Sequence, residues 1–351
     1  MRFLRFTLLL ALASACSILK PTTKNDVFPG RAQLPQEEAP HVKNSLEWWY
    51  FTGHLKDVAT GEAFGVEYVF FHFSPDGKQD YQMVNFALTD PQTQDFKYDY
   101  QMGKLAAPLT AALPINLTEQ KGPQTWTLTG QEGRYQLQAR MAAHTGQAIK
   151  LSTTPTKPVL LHGGTGYEKY GDVAQAGYYS YPRLAATGTI EVGGKTHQVT
   201  GDLWYDRQWN CGSVNKRNVA WDWLSLQLNE PNEELMLYTV HDTKTGKHIG
   251  GGSHYGAQGE NLHLAESDFK LEPVTYWTSP VSKKKYPSTW HLTVPSKGYD
   301  LTVTPLVPNQ ELNLRLFKVL KLSYWEGMCR VTGTHNGKPV TGNAYVEITN
   351  R

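Results

Sequence analysis

The sequence predicts an all-β protein in which one antiparallel unit is used twice, and three observations carry that prediction. Val-Thr-Gly-Asp-Leu-Trp-Tyr-Asp, Val199 to Asp206, returns without a gap as Val-Thr-Gly-Asn-Ala-Tyr-Val-Glu, Val340 to Glu347. The halves also open alike: Trp48 to Leu55 and Trp221 to Leu228 share aromatic, apolar and leucine positions when their final leucines are superposed. Short apolar runs separated by turn residues recur along the chain, and no long segment has a helical period. At 351 residues the chain exceeds the size at which single cores usually stop growing, so two domains are expected.

The elements follow in order. Residues Ser17 to Lys43, rich in Pro, Gln, Glu, Lys and Asn, lack a hydrophobic period and read as a flexible tether. Asn44 to Leu55 and Ala63 to Phe73 are aromatic, strand-like runs joined by a polar link with a glycine, a hairpin signal. Further strands are expected at Asp80 to Thr89, Gln124 to Thr129, Tyr135 to Ala142, Ile149 to Ser152, Leu184 to Val192 and His197 to Trp209. The second half repeats the plan at Ala220 to Leu228, Glu234 to Asp242, Thr289 to Val294, Leu301 to Pro305, Tyr324 to Thr332 and Val340 to Thr349. Many short strands with regular turns fit antiparallel barrels or sandwiches. A unit that starts on a Trp-rich strand and ends on a Gly-initiated one suits an up-and-down barrel, whose first and last strands pair. The boundaries are 1–16, a leader; 17–43, the tether; 44–212 and 213–351, the two units.

Composition excludes several classes. Apolar residues at 40%, with 10 Trp and 19 Tyr, supply ample core and rule out a disordered chain. The net charge of +2 arises from 34 basic and 32 acidic side chains without long runs, so nucleic acid is not an expected partner; Lys283 to Lys285 reads as a solvated turn. Met1 to Cys16 has a basic start, a short apolar run and small residues before Cys16, the pattern of a bacterial lipoprotein signal. The expectation is export, lipidation at Cys16 and an outer-membrane anchor facing the periplasm, although Ala13 stands where such signals prefer a larger aliphatic residue. In that oxidising compartment Cys211 and Cys329 are candidates for a disulfide.

The repeated octet also carries the candidate chemistry. After its glycine, Leu203 and Tyr205 point one way while Asp202, Trp204 and Asp206 point the other. A carboxylate beside an aromatic in an apolar cavity is either a raised-pKa acid or a satisfied structural acceptor, and both readings stay open here.

Glu47-Trp-Trp-Tyr-Phe-Thr-Gly-His-Leu55 resembles the opening motif of the hydroxyneurosporene synthase (carotenoid 1,2-hydratase) and AttH-like family. Tyr178 to Leu184, Gly201 to Trp209, Trp221 to Leu228, Tyr324 to Gly327 and Gly342 to Ile348 agree in the same order. The resemblance implies two tandem lipocalin-like antiparallel β-barrels and a hydrophobic small-molecule pocket. It covers cofactor-independent hydratases, polyene cyclases and secreted proteins associated with ABC transporter components, so ABC transporter components are candidate partners. In hydratase members the aspartate matched by Asp206 is the proposed proton donor, near aromatic or histidine residues matched by Tyr178 to Tyr181. On this basis the candidate catalytic set is Asp206, Trp204, Tyr179 and Tyr181. The candidate ligand-binding set is Trp49, Tyr50, His54, Tyr178, Trp209, Trp221, Asp222 and Trp223. The stretch Tyr178-Tyr-Ser-Tyr181 lacks a histidine, which favours a binding role over hydration.

Other motifs are weaker. The histidines show no zinc spacing, no Gly-x-Ser-x-Gly elbow presents a serine, and no metal or cofactor is expected. Gly163-Gly-Thr-Gly166 and Gly250-Gly-Gly252 read as loops or bulges, and Asn116-Leu-Thr118 is a glycosylation sequon by letter only. Glu47, Glu326 and Glu347, with Arg183 and Arg207 available, read as salt-bridge or hydrogen-bond partners that close the barrels. Two functions stand: a carrier of an apolar ligand, lipid or isoprenoid in class, and a cofactor-free hydratase, isomerase or cyclase centred on Asp206. Glu347 is expected to be the structural echo of Asp206.

Overall fold

The computed structural model describes residues 30–42, 46–74, 79–122, 124–171, 174–209, 219–242, 244–316 and 320–349. Cys16, the leader and Cys211 lie outside the described residues. Strands make up 68% of the described residues, which contain no α-helix. The first sheet comprises β1 (Leu46–Asp57), β2 (Ala63–Phe73), β3 (Tyr81–Asp90), β4 (Asp95–Lys104), β5 (Ile115–Lys121), β6 (Gln124–Gln131), β7 (Arg134–Arg140), β8 (Ala148–Pro155), β9 (Leu160–Leu161), β10 (Tyr167–Tyr170), β11 (Ala174–Val192) and β12 (Lys195–Trp209). The second comprises β13 (Val219–Leu228), β14 (Glu234–Asp242), β15 (His248–Tyr255), β16 (Asn261–Ala265), β17 (Lys270–Thr278), β18 (Lys285–Val294), β19 (Tyr299–Pro305), β20 (Glu311–Leu316), β21 (Leu320–His335) and β22 (Lys338–Ile348).

Both sheets are antiparallel, and in each the first strand pairs with the last: β1 with β12, β13 with β22. The first sheet closes almost completely. Its edges are β4 and β5, and side chains span the gap, with Gln82 Nε2 of β3 donating to the Thr118 carbonyl of β5 at 2.9 Å. Asp99 Oδ2 accepts the N–H groups of Ala142 and Ala143 at 2.6 and 3.0 Å. Sequence reading missed β4, β5, β9, β10, β15, β16, β17 and β20. In β15 the cause is Gly250-Gly-Gly252, since glycine lowers strand propensity. The sheet requires it there: a Cβ on Gly251 would lie 2.5 Å from the Tyr238 hydroxyl.

Each sheet wraps its own apolar core. The first contains Phe51, Phe64, Tyr68, Phe86, Trp126, Leu203 and Tyr205, the second Leu224, Leu226, Trp290, Leu292, Trp325 and Val346. A third cluster lies between the units, formed by outward-facing Tyr50, Val69, Tyr178 and Trp204 against Trp223, Met236, Tyr238, Met328 and Tyr345. The octet alternates as expected, but its outward face meets the other barrel instead of water. Ion pairs rim this junction: Glu234 of the second unit takes Lys157 Nζ at 2.7 Å and Arg183 Nε at 2.9 Å from the first.

Residues 30–42, expected to be tether, are packed instead. Glu38, in the 3-10 turn Gln36–Glu38, is buried; its carboxylate accepts Tyr181 Oη at 3.0 Å and the Glu132 N–H at 2.7 Å. His41 stacks on Trp209 with ring centroids 4.6 Å apart. The segment covers one mouth of the first barrel, and its polar composition serves these hydrogen bonds.

Candidate functional site

The two copies of the repeated strand face each other. Antiparallel register puts Tyr50 of β1 and Ser180 of β11 on either side of Asp206. The same register in the second unit puts Trp223 of β13 and Glu326 of β21 on either side of Glu347. Tyr178, Ser180, Trp204 and Asp206 therefore have positional equivalents in Tyr324, Glu326, Tyr345 and Glu347.

Asp206 is 3% exposed and is held by three donors. Tyr178 Oη donates to Oδ2 at 2.6 Å, Trp204 Nε1 donates to Oδ1 at 2.6 Å, and Ser180 Oγ donates to Oδ1. Burial raises its pKa from 3.8 to about 6, and the three hydrogen bonds limit the rise by favouring the carboxylate. The group thus titrates close to neutrality, where a general acid is effective.

Behind Ser180 stands a residue that sequence reading missed. His162 Nε2 lies 2.7 Å from Ser180 Oγ, and its Nδ1 lies 3.0 Å from Ser253 Oγ of the second unit. It is fully buried, its ring 3.9 Å from that of Tyr178, and burial lowers its pKa to about 3, which keeps it neutral. With Asp206 ionised, the hydrogen bonds run from His162 Nε2 through Ser180 to the carboxylate; with Asp206 protonated, they reverse toward Nε2. The 3-10 turn His162–Gly164 thus sets a histidine beside Ser180, in a stretch, Tyr178 to Tyr181, that has none of its own. No motif spacing marks this residue: the only local signal is a histidine before a glycine pair. Gly163 and Gly164 have positive φ, so the pair read as a loop is one.

The units interlock through these positions. Trp223 Nε1 donates to Tyr178 Oη at 3.0 Å, and Tyr50 Oη donates to Glu326. Tyr50 and Trp223, the equivalent residues of the two opening strands, meet edge to face at 5.7 Å. His54 Nε2 donates to the Ala344 carbonyl at 2.9 Å, and burial lowers its pKa to about 4. Trp221 packs against the same cluster.

The other expected site residues are elsewhere. Trp49, Tyr179, Tyr181 and Trp209 face the interior of the first barrel, away from Asp206, because strand side chains alternate. Tyr181 is bonded to Glu38, and Trp49 lies 4.1 Å beneath the Arg207 guanidinium. Asp222 shares the parity of Leu224 and Leu226 on the second barrel's inner side. Glu47 and Arg207 form the expected ion pair, at 2.5 Å and without exposure. Burial alone would raise the Glu47 pKa; Arg207, His41 and His72 outweigh it and hold the carboxyl far below the usual range. Glu326 and Glu347 are hydrogen-bond partners, as one of the two expected alternatives has it: Tyr50 Oη donates to Glu326 and the Trp221 side chain to Glu347, and no ion pair reaches either among the described residues, Arg183 being engaged by Glu234 and Asp202. Cys329 is buried and has no disulfide partner among the described residues, Cys211 lying outside them. Among the described residues no three His, Cys, Asp or Glu side chains group as metal ligands.

The AttH-like family profile matches residues 26–351. A putative AttH from Nitrosomonas europaea superposes with a TM-score of 0.79 at 24% identity, covering 94% of this chain and 99% of that one. Kievitone hydratase from Nectria haematococca superposes with a TM-score of 0.72 at 18% identity, covering 95% and 96%. CghA with Sch210972 gives 0.52 at 11%, covering 92% and 94%. No curated protein matches the chain. With its shared fold and a family match over nearly its whole length, the chain belongs to the AttH-like family.

Proposed function

We propose that this protein takes an apolar, unsaturated small molecule, lipid or isoprenoid in class, between its two barrels and protonates it on carbon from Asp206. The reaction class is a hydration or isomerisation without a cofactor. The observation that carries this reading is Asp206 itself: a buried carboxyl titrating near 6 beside Trp204, Tyr178, Tyr50 and Trp223. Protonating an alkene carbon requires an acid shielded from water, and the cation that forms is stabilised by aromatic faces. The likeness to a protein named as a hydratase supports this class.

A second reading, a carrier without turnover, has its own support. Three donors around Asp206 are also what a structural carboxylate needs. On either reading, the leader suggests export, a lipid at Cys16 and work beside ABC transporter components. Palmitate labelling tests the anchor: wild type takes up label and Cys16→Ser does not, whereas an unlabelled wild type removes it.

The functional test begins with mass spectrometry of apolar compounds that copurify with the full chain. Each is then incubated with the protein in D2O. The proposal expects a product with one carbon-bound deuterium, formed by wild type; Asp206→Asn still binds the compound and forms none. Unchanged deuteration in Asp206→Asn overturns the assignment of Asp206. Binding without any product from wild type favours the carrier.

A further inference from the structure

The second barrel holds carboxyl groups that the proposed chemistry at Asp206 does not use. Glu326 and Glu347 stand directly opposite each other on β21 and β22. Opposed residues hold their Cβ atoms about 5 Å apart. Glu67 of β2 joins them from the first barrel: it is fully buried beside Glu347, and neither of its carboxyl oxygens has a hydrogen-bond partner among the described residues. The groups facing this set are Tyr50 on β1, Asp206 on β12, Tyr324 on β21, Tyr345 on β22 and Trp221 on β13. None of these is a cation.

Resting on the reading of Asp206 as an acid, we propose that Glu347, sharing a proton with Glu326, is a second proton-exchanging centre of the same inter-barrel site and accepts the proton that the reaction releases. Three observations converge. Glu347 occupies the position equivalent to Asp206, on the equivalent strand and in the same register. The strands flanking the two acids exchange contacts, Tyr50 of β1 to Glu326 of β21 and Trp223 of β13 to Tyr178 of β11. Glu67 is a buried carboxyl held against the set with neither a side-chain hydrogen bond nor a cation to satisfy it among the described residues. Carboxyls crowded in this way do not all ionise, so at neutral pH the set holds protons and retains a vacancy for one. Burial, then the neighbouring Glu347, pushes Glu326 well above the usual range; burial and the Asp206 charge bring Glu347 to about 7.

The proton balance closes within the site. In a hydration, the Asp206 carboxyl gives its proton to one alkene carbon and the water oxygen bonds to the other. The proton leaving that water passes to the Glu347 carboxylate. In an isomerisation the second proton comes from carbon. In both, Asp206 ends ionised and Glu347 protonated, and return of that proton to Asp206 resets the pair.

The test uses protons as the probe. Infrared titration of the full chain in D2O follows the protonated-carboxyl bands in wild type, Asp206→Asn, Glu347→Gln and Glu326→Gln. The expected result is a mutual shift: Glu347→Gln lowers the Asp206 midpoint, and Asp206→Asn lowers that of Glu347, each by about one pH unit, the scale of a coupled pair. Glu326→Gln covers a failure of Glu347→Gln to fold and is expected to lower the Glu347 midpoint. Midpoints that stay in place in the folded variants overturn the proposal. That failure is distinct from failure of the Asp206 reading, which is decided by deuterium transfer.

Discussion

The two copies of the duplicated strand hold their acids in opposite ways. In the first barrel Asp206 is surrounded by donors from Tyr178, Ser180 and Trp204, and its pKa stops at about 6. In the second barrel the equivalent of Ser180 is another acid, Glu326, and the pair rises further. Inside the first barrel a third arrangement appears, in which Glu47 is paired with Arg207 and stays ionised. One fold thus presents a paired, a donor-held and an unpaired carboxyl. Neighbours, more than burial, decide which of them is charged at neutral pH.

The largest way to break this comparison is to remove the cation. Arg207→Met strands the buried Glu47 charge and is expected to cost about 3–5 kcal/mol in urea denaturation at pH 7. A loss below about 1 kcal/mol would show that His41 and His72 carry the pairing. Next comes the donor-held acid. Folded Asp206 keeps its proton to about 6, whereas the unfolded group releases it near 3.8. Its contribution to stability is therefore present at low pH and lost as pH rises through that window. Relative to wild type, Asp206→Asn should gain about 2 kcal/mol between pH 4 and pH 7. A difference independent of pH would contradict the raised pKa.

Smaller effects sharpen the picture. Ser253→Ala removes the partner of His162 Nδ1 and should cost about 1–3 kcal/mol by leaving a buried nitrogen unsatisfied. Unchanged stability would mean that His162 is satisfied otherwise. For Glu347 the sign is the prediction. Its pKa rises from 4.5 to about 7, so ionisation weakens folding as pH climbs through that range. Glu347→Gln should melt higher than wild type at pH 8 and show no such advantage at pH 4.

Much of this was legible in the sequence, and the remainder has a physical cause. Repetition and turn spacing reveal the duplicated all-β fold, and alternation after Gly201 sorts Trp204 and Asp206 from Leu203 and Tyr205. Alternation does not say what an outward face meets. The available signal was its failure: β7 alternates between buried and exposed, whereas Leu203 to Trp209 is buried at every position. A strand buried on both faces is sandwiched, here between a barrel core and a second barrel. Trp49, Tyr179, Tyr181 and Trp209 were grouped with the site because aromatic residues crowd both faces of such strands. His162 was invisible because folding, not spacing, brings it to Ser180.

Titration of Asp206 itself tests the central claim most directly. The difference between wild type and Asp206→Asn in carboxyl infrared absorption, followed against pH in the full chain, isolates this group. The account predicts a protonated-carboxyl band that disappears with a midpoint near 6. A midpoint at or below the ordinary aspartate value of 3.8 would contradict it and leave Asp206 a structural acceptor.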